Sequence, residues 1–111
     1  MTKNEKQFKF TRMLGHLILY AESEGLDITI REVQRFPERQ RQLVAYGKSK
    51  TYKSKHLDSL AADIILFRDG EPIWNARDDD YVKLGEKWEE LGGTWGGRWD
   101  FSDGIHFEYE G

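Results

Sequence analysis

Residues 60–67 read LAADIILF, and this apolar run constrains the fold more than any other part of the sequence. Its length and its branched apolar side chains favour a β-strand. The Asp69–Gly70 pair that follows is typical of a two-residue hairpin turn, so the chain is expected to return through Ile73 and Trp74. The fold must therefore contain a small sheet with residues 60–67 as its central strand.

The rest of the chain predicts helices that pack on this sheet. Residues 5–24 carry one apolar stripe with helical spacing, formed by Phe10, Met13, Leu14, Leu17, Ile18 and Ala21. The other predicted elements are a short strand at Ile28 and Ile30, a helix from Pro37 to Gly47, a helix over 79–91 capped by Asp78, and a final strand in IHFEY, residues 105–109. Their order indicates an α+β domain, with a small, mostly antiparallel sheet and helices packed on it.

Three features of the composition narrow the classes of protein. The length of 111 residues favours a single domain. The absence of cysteine excludes disulfides and thiolate-ligated metals. No segment reaches the roughly 18 apolar residues of a transmembrane helix, and the start MTKNEKQFKF lacks the apolar region of a signal peptide. We therefore expect synthesis in the cytoplasm without a signal peptide, and no membrane insertion.

Charge is distributed unevenly along the chain. Residues 31–55 hold eight Lys or Arg and two Glu, whereas the remainder holds nine basic and eighteen acidic residues. A basic segment on an acidic protein suggests an anionic partner. A solvated loop and helix face would give the same pattern, so both interpretations stay open. The pI of about 5.6 and the lack of a nucleic-acid motif argue against a nucleic-acid partner.

Two histidines and three acidic residues make up a candidate site. His56 and His106 lie at the edges of predicted strands, and Asp63 lies within the apolar run. A lone carboxylate there is costly to bury unless an arginine or a metal neutralises it. Asp103 precedes His106 by three positions, and Glu108 shares one strand face with His106 because side chains alternate.

Histidine and carboxylate ligands suit a Zn²⁺ ion with its fourth position left to water. Such an ion polarises a carbonyl and lowers the pKa of the bound water. Asp103 is placed to act as the general base, with Glu108 as the reserve candidate. The spacings between these histidines and acidic residues form short patterns, and such patterns also arise by chance. On spacing alone the favoured interpretation has His56 in a loop, Asp63 paired with an arginine and His106 packed among aromatic residues.

Two longer motifs carry a family resemblance. SKHLDSLAAD, from Ser54 to Asp63, is similar to the pattern S-x-H-x-x-G-x-A-x-D, and WGGRW followed by DGIHFE is similar to a second pattern that ends in H-F-E. RFPERQ, from Arg35 to Gln40, fits an upstream arginine segment. Over residues 28–109 the chain resembles the zinc D-Ala-D-Ala carboxypeptidases and L-Ala-D-Glu endopeptidases of bacterial cell walls, and most of all their compact phage endolysin branch. Hedgehog signalling domains share the implied scaffold.

The resemblance implies a role for each motif residue. His56, Asp63 and His106 would bind zinc, and Asp103 would be the catalytic base. Arg35 would steady the developing oxyanion or the substrate carbonyl. Asp63 and Asp103 would thus perform different tasks at one site. A salt bridge to a neighbouring glutamate is the alternative for Arg35.

Further residues complete the expected site. The resemblance implies that Ser54 holds a substrate carboxylate, with an ordinary turn residue as the alternative. Trp95 and Trp99 would line the substrate groove, or they would pack in the core against the helix over 79–91. The glycine of the family's first motif is Ser59 here. If that position needs a positive φ, the serine adds strain of about 1 kcal/mol but removes no ligand.

The resemblance therefore predicts a zinc-dependent peptidoglycan peptidase, with L-Ala-D-Glu endopeptidase activity expected first. The alternatives are a D-Ala-D-Ala carboxypeptidase and a non-catalytic, zinc-stabilised binding module. The expected partners are peptidoglycan stem peptides, with neither nucleic acid nor membrane insertion. We expect a monomer of one zinc peptidase domain over residues 1–111 without a separate wall-binding module. It would act on the cell wall after holin-type release if it is phage-derived.

Overall fold

The computed structural model describes residues 1–33, 37–45, 55 and 60–111, with residues 37–40 described by their backbone. Several residues singled out in the sequence lie outside this part: Arg35, residues 48–53 of the basic segment, Ser54, His56 and Ser59.

The described elements follow the predicted order, with two additions, a short strand and a 3₁₀ turn. The helices are α1 (Lys3–Ser23), α2 (Pro37–Ala45) and α3 (Asp79–Glu90). The strands are β1 (Asp27–Arg31), β2 (Ala61–Arg68), β3 (Glu71–Ile73), β4 (Thr94–Trp95) and β5 (His106–Glu108), and a 3₁₀ turn spans Gly96–Arg98. The predicted α+β class is confirmed. Strand β4 was missed because its two residues are too few to show an alternating pattern.

β2 is the centre of the sheet. The strand order is β1-β2-β5-β4, β3 also pairs with β2, and each of these described pairs is antiparallel. The hairpin from β2 to β3 turns through Asp69 and Gly70, whose φ angles of 53° and 79° suit a two-residue turn. The predicted returning strand ends one residue early, because β3 stops at Ile73 and Trp74 is exposed.

Helices α1 and α3 cover one face of the sheet and form the core with it. The ring of Trp88 on α3 makes edge-on contacts with Phe10 of α1 at 5.7 Å and with Phe107 of β5 at 6.1 Å, measured between ring centroids. One side chain therefore joins both helices to the sheet. Ile18 departs from the predicted stripe, since it is 40% exposed. The buried residues of α1 are Phe10, Met13, Leu17 and Ala21.

Within the described part of the chain, no helix combines the length and the apolar character that a membrane crossing requires.

Candidate functional site

The candidate site lies on the sheet face opposite α1 and α3. On β2, Ala62 and Ile64 belong to the core, so Asp63 between them points to the other face. On β5, Phe107 belongs to the core, and its neighbours His106 and Glu108 point away from it. The sheet thus separates an apolar layer from a layer that holds three ionisable side chains.

The strand register brings these side chains together. Asp63 of β2 lies directly across from His106 of β5, and Ala61 lies across from Glu108. The two imidazole nitrogens of His106 face two different carboxylates. Its Nε2 lies 2.8 Å from Oε1 of Glu108, and its Nδ1 lies 3.8 Å from Oδ1 of Asp63. His106 and Glu108 are each 7% exposed, so this contact is shielded from solvent.

The electrostatics of this cluster favour positive charge. Burial lowers the pKa of His106, but the carboxylates of Asp63 and Glu108, together with the charge of Asp103, outweigh burial and raise that pKa to about 9. The imidazole is therefore a cation at neutral pH when no metal competes for it. A cluster that holds a proton so firmly also attracts a metal cation, because both are stabilised by the same negative charges.

Asp103 is held beside His106 by backbone hydrogen bonds. The amide of His106 donates to the carbonyl of Asp103 at 3.1 Å, and the amide of Asp103 donates to the carbonyl of Gly96 at 2.9 Å. The Asp103 side chain is half-buried. A turn thus brings Asp103 alongside His106.

Gly96 is the residue of this site that sequence reasoning missed. A Cβ at this position would collide with the carbonyl oxygen of Asp103 and press on Cβ of His106. The Gly96 carbonyl also accepts from the amide of Trp99 at 3.2 Å. The Trp-Gly-Gly segment therefore packs its backbone directly against the turn that carries the acid and the histidine.

The two tryptophans of this segment have different positions. Trp99 is 39% exposed, and its ring centroid lies 5.0 Å from that of His106. Trp95 is 2% exposed, packs against Phe107, and donates from Nε1 to the carbonyl of Gly104 at 2.8 Å. Trp95 therefore does not line a groove as expected, because its buried ring cannot contact a substrate. The core alternative fits Trp95, whereas Trp99 stays beside the site.

Of the three predicted metal ligands, the structure describes Asp63 and His106. In the described ranges no three His, Asp, Glu or Cys side chains surround a common point, and the predicted third ligand, His56, lies outside them. The chain returns at Leu60, whose amide donates to Lys55 at 3.0 Å and whose carbonyl accepts from Tyr109 at 2.9 Å. The residues that flank 56–59 are thus attached to the Glu108 end of β5.

The described pair fits a zinc ion. A neutral imidazole nitrogen and a carboxylate oxygen are both ordinary zinc ligands. With bonds of about 2.1 Å in a tetrahedral arrangement, two such donor atoms lie about 3.4 Å apart. The distance of 3.8 Å between Nδ1 of His106 and Oδ1 of Asp63 is close to that separation. The separation of these two donor atoms is therefore compatible with a shared zinc ion.

Comparisons with known proteins bear on the same residues. A family model described as D-alanyl-D-alanine carboxypeptidase matches residues 47–109, which include each of the predicted metal ligands. An L-alanyl-D-glutamate peptidase of Listeria phage A118 is 36% identical over 99 residues, covering 86% of this chain. The chain spans only 35% of that relative's length.

A solved structure supports the fold. The L-Ala D-Glu endopeptidase ChiX of Serratia marcescens matches with a TM-score of 0.71 and 29% identity, over 90% of this chain and 77% of that protein. The small antiparallel sheet with helices on one face is therefore shared with an enzyme structure at substantial sequence identity.

Proposed function

Since the chain belongs to the D-alanyl-D-alanine carboxypeptidase family, we propose that it is a zinc-dependent peptidase that hydrolyses the stem peptides of peptidoglycan. The observation that carries this proposal is the pairing of Asp63 with His106 across β2 and β5. Both residues lie within the matched range, at the positions to which the resemblance assigns metal ligands.

We propose the bond between L-Ala and D-Glu as the one that is cleaved. Support comes from the names of the phage relative and of the Serratia structure, which are both L-alanyl-D-glutamate peptidases. The description of the family model favours the alternative, a D-Ala-D-Ala carboxypeptidase. In either case the proposed site of action is the cell wall, and the proposed active form is a monomer without a nucleic-acid partner.

The proposed metal ligands are His56, Asp63 and His106. When bound, zinc supplies a Lewis acid that polarises the scissile carbonyl and acidifies water. Asp103 would accept the proton of the attacking water and deliver it to the leaving amine. Its half-buried carboxylate and its fixed turn beside His106 suit a group that must stay in place during proton transfer.

Three further residues have proposed roles in substrate binding. Arg35 would stabilise negative charge that develops on the carbonyl oxygen, and Ser54 would hold a substrate carboxylate. Both lie outside the described residues. Trp99 is supported by its position, because its exposed ring adjoins His106 and can cover an apolar part of the stem peptide.

The proposal is tested by mass spectrometry of purified peptidoglycan digests, with and without EDTA. The endopeptidase would release fragments with a new D-Glu amino terminus, whereas the carboxypeptidase would release free D-Ala. EDTA should abolish either product. Intact muropeptides after long incubation with zinc-loaded protein would instead identify a binding module.

A substitution at Asp103 tests its proposed role as the general base. Asp103→Asn should retain zinc but lose activity by about 10²–10⁴-fold, because the amide cannot accept the proton of the water. Asp100→Asn, in the same segment and exposed, is the matched control and should keep its activity. Wild-type rates in Asp103→Asn would show that another group is the base.

A further inference from the structure

Glu108 is a buried acid to which the proposed reaction assigns no task. It is 7% exposed, so its carboxylate has almost no surface at which a substrate could contact it. Burying a carboxylate is unfavourable unless hydrogen bonds or charges compensate. The compensation here comes from His106, whose Nε2 lies 2.8 Å from Oε1 of Glu108. The role of Glu108 is therefore to be sought in what it does to that imidazole.

A neutral imidazole has one N–H and one lone pair, on different nitrogens. Glu108 is an acceptor when ionised, so it selects the form in which Nε2 carries the hydrogen. The lone pair then lies on Nδ1, the nitrogen that faces Asp63 at 3.8 Å. The opposite tautomer would set a nitrogen lone pair 2.8 Å from the Glu108 carboxylate, which is unfavourable for both groups. The Nδ1 lone pair is farther from Asp63, at 3.8 Å, and a bound metal ion would accept it.

The backbone around Glu108 is fixed by the core. The indole Nε1 of Trp88 donates to the Glu108 carbonyl at 2.8 Å in a buried hydrogen bond. Ala61 lies across from Glu108 in the strand register, and its small side chain leaves room for the carboxylate on that face. Between Glu108 and His106 lies Phe107, which is fully buried against Trp88. The acid and the imidazole therefore stand on a rigid strand.

We propose that Glu108 is a positioning residue that holds His106 in its Nε2–H tautomer and directs Nδ1 toward the metal position beside Asp63. This inference rests on the proposed function, since it takes His106 as a zinc ligand. It also removes Glu108 from the candidates for the base, because its carboxylate is committed to the imidazole. Carboxylates that orient ligating histidines in this way typically contribute 10- to 100-fold to metal affinity.

The experiment measures zinc affinity by competition with a chelator, for the wild type, Glu108→Ala and Glu108→Gln. Glu108→Ala should bind zinc about 10- to 100-fold more weakly. Glu108→Gln keeps an oxygen acceptor for Nε2–H and should recover part of that loss. Glu110→Ala is the matched control, because Glu110 is an exposed acid two residues farther along, and it should bind zinc as the wild type does.

A second readout does not depend on any variant at Glu108. Proton–nitrogen NMR correlation spectra of the zinc-loaded wild type should show His106 with hydrogen on Nε2 and metal on Nδ1. Metal on Nε2 would overturn the inference, and so would unchanged zinc affinity in a folded Glu108→Ala. If Glu108→Ala does not fold, the tautomer of the wild type and the affinity of Glu108→Gln decide.

The failure of this inference is distinguishable from failure of the proposed function. Zinc binding of unchanged affinity in His106→Ala would contradict both, because His106 would then not be a ligand. If the wild type cleaves no peptidoglycan but Glu108→Ala binds zinc more weakly than the wild type, the positioning role is supported and the proposed reaction is contradicted. Unchanged affinity in an active enzyme would overturn the positioning role alone.

Discussion

At the scale of single residues, Gly96 does the most to shape the site without contributing a side chain. Its carbonyl accepts hydrogen bonds from Trp99 and Asp103, and its missing side chain leaves room for the carbonyl of Asp103 and for Cβ of His106. The position of the proposed base thus depends on close backbone packing. Sequence patterns mark the Trp-Gly-Gly segment as a loop, but they do not reveal which backbone it touches.

Gly96→Ala is expected to damage both stability and activity. The added methyl must displace a backbone carbonyl, and overpacking of this kind typically lowers the free energy of unfolding by about 1–3 kcal/mol. Chemical denaturation and muropeptide cleavage measure the two effects. An active variant of wild-type stability would show that the turn at Asp103 can move without consequence.

At the scale of elements, α3 packs against the sheet through two tryptophan rings. Trp88 of α3 joins α1 and β5, and Trp95 of β4 lies against Gly85 of α3. A Cβ at Gly85 would collide with the Trp95 ring. Helix propensity would favour alanine over glycine at this position, so the glycine reflects tertiary packing and not the local preference of the helix.

A pair of glycine substitutions separates propensity from packing. Gly15 lies in the exposed middle of α1, and a Cβ there meets nothing within 4 Å. Gly15→Ala should raise the free energy of unfolding by about 0.5–1 kcal/mol. Gly85→Ala should lower it, because the steric conflict with Trp95 exceeds the gain in propensity. Denaturant unfolding of both variants is the measurement, and equal effects would contradict the packing argument.

The start of α3 carries a pH-dependent interaction. The Asp78 side chain caps the helix at the amide of Asp80 and accepts two hydrogen bonds from Arg68, at 3.0 and 3.1 Å. These bonds, the Arg68 contact first, lower the pKa of Asp78 below its usual value of 3.8. The contribution to stability is therefore complete above the unfolded-state pKa and is lost as the pH falls through the lower folded-state pKa.

Asp78→Asn tests this dependence, since asparagine caps helices about as well but carries no charge. The variant should be less stable than the wild type at neutral pH, and the difference should shrink as the pH falls below about 4. Urea unfolding at a series of pH values gives both curves. A difference that stays constant down to pH 2 would attribute the loss to something other than the carboxylate.

At the scale of the whole molecule, the sheet separates the hydrophobic core from the candidate site. One face carries the core against α1 and α3, and the other carries Asp63, His106 and Glu108. The register of β2 against β5 brings Asp63 and His106 together only in the folded chain. Metal binding and folding should therefore be coupled, because the unfolded chain has no preformed site.

Zinc should therefore raise the melting temperature. A free zinc concentration 100 times the dissociation constant stabilises the folded state by about 2.7 kcal/mol. For a domain of this size that corresponds to a shift on the order of 10 °C. Calorimetry with zinc and with EDTA measures the shift, and His106→Ala should show little of it. Identical melting temperatures in zinc and EDTA would argue against a metal in the folded protein.

Much of this protein was determined by the sequence alone. The apolar run at 60–67, the Asp69–Gly70 turn and the Asp78 cap act over a few residues, so they predict β2, its hairpin and α3 correctly. The alternation of side chains also predicts that His106 and Glu108 share a face. Local steric and hydrogen-bonding preferences are sufficient for these features.

Only the tertiary structure decided how the distant parts meet. The register of β2 against β5 sets Asp63 across from His106, about forty residues apart in sequence, and the two-residue β4 is defined by its pairing with β5. The same packing buries Trp95 and leaves Trp99 at the surface, although both are tryptophans at the ends of the same WGGRW segment. Such outcomes depend on which surfaces approach each other in three dimensions, and no local pattern encodes that approach.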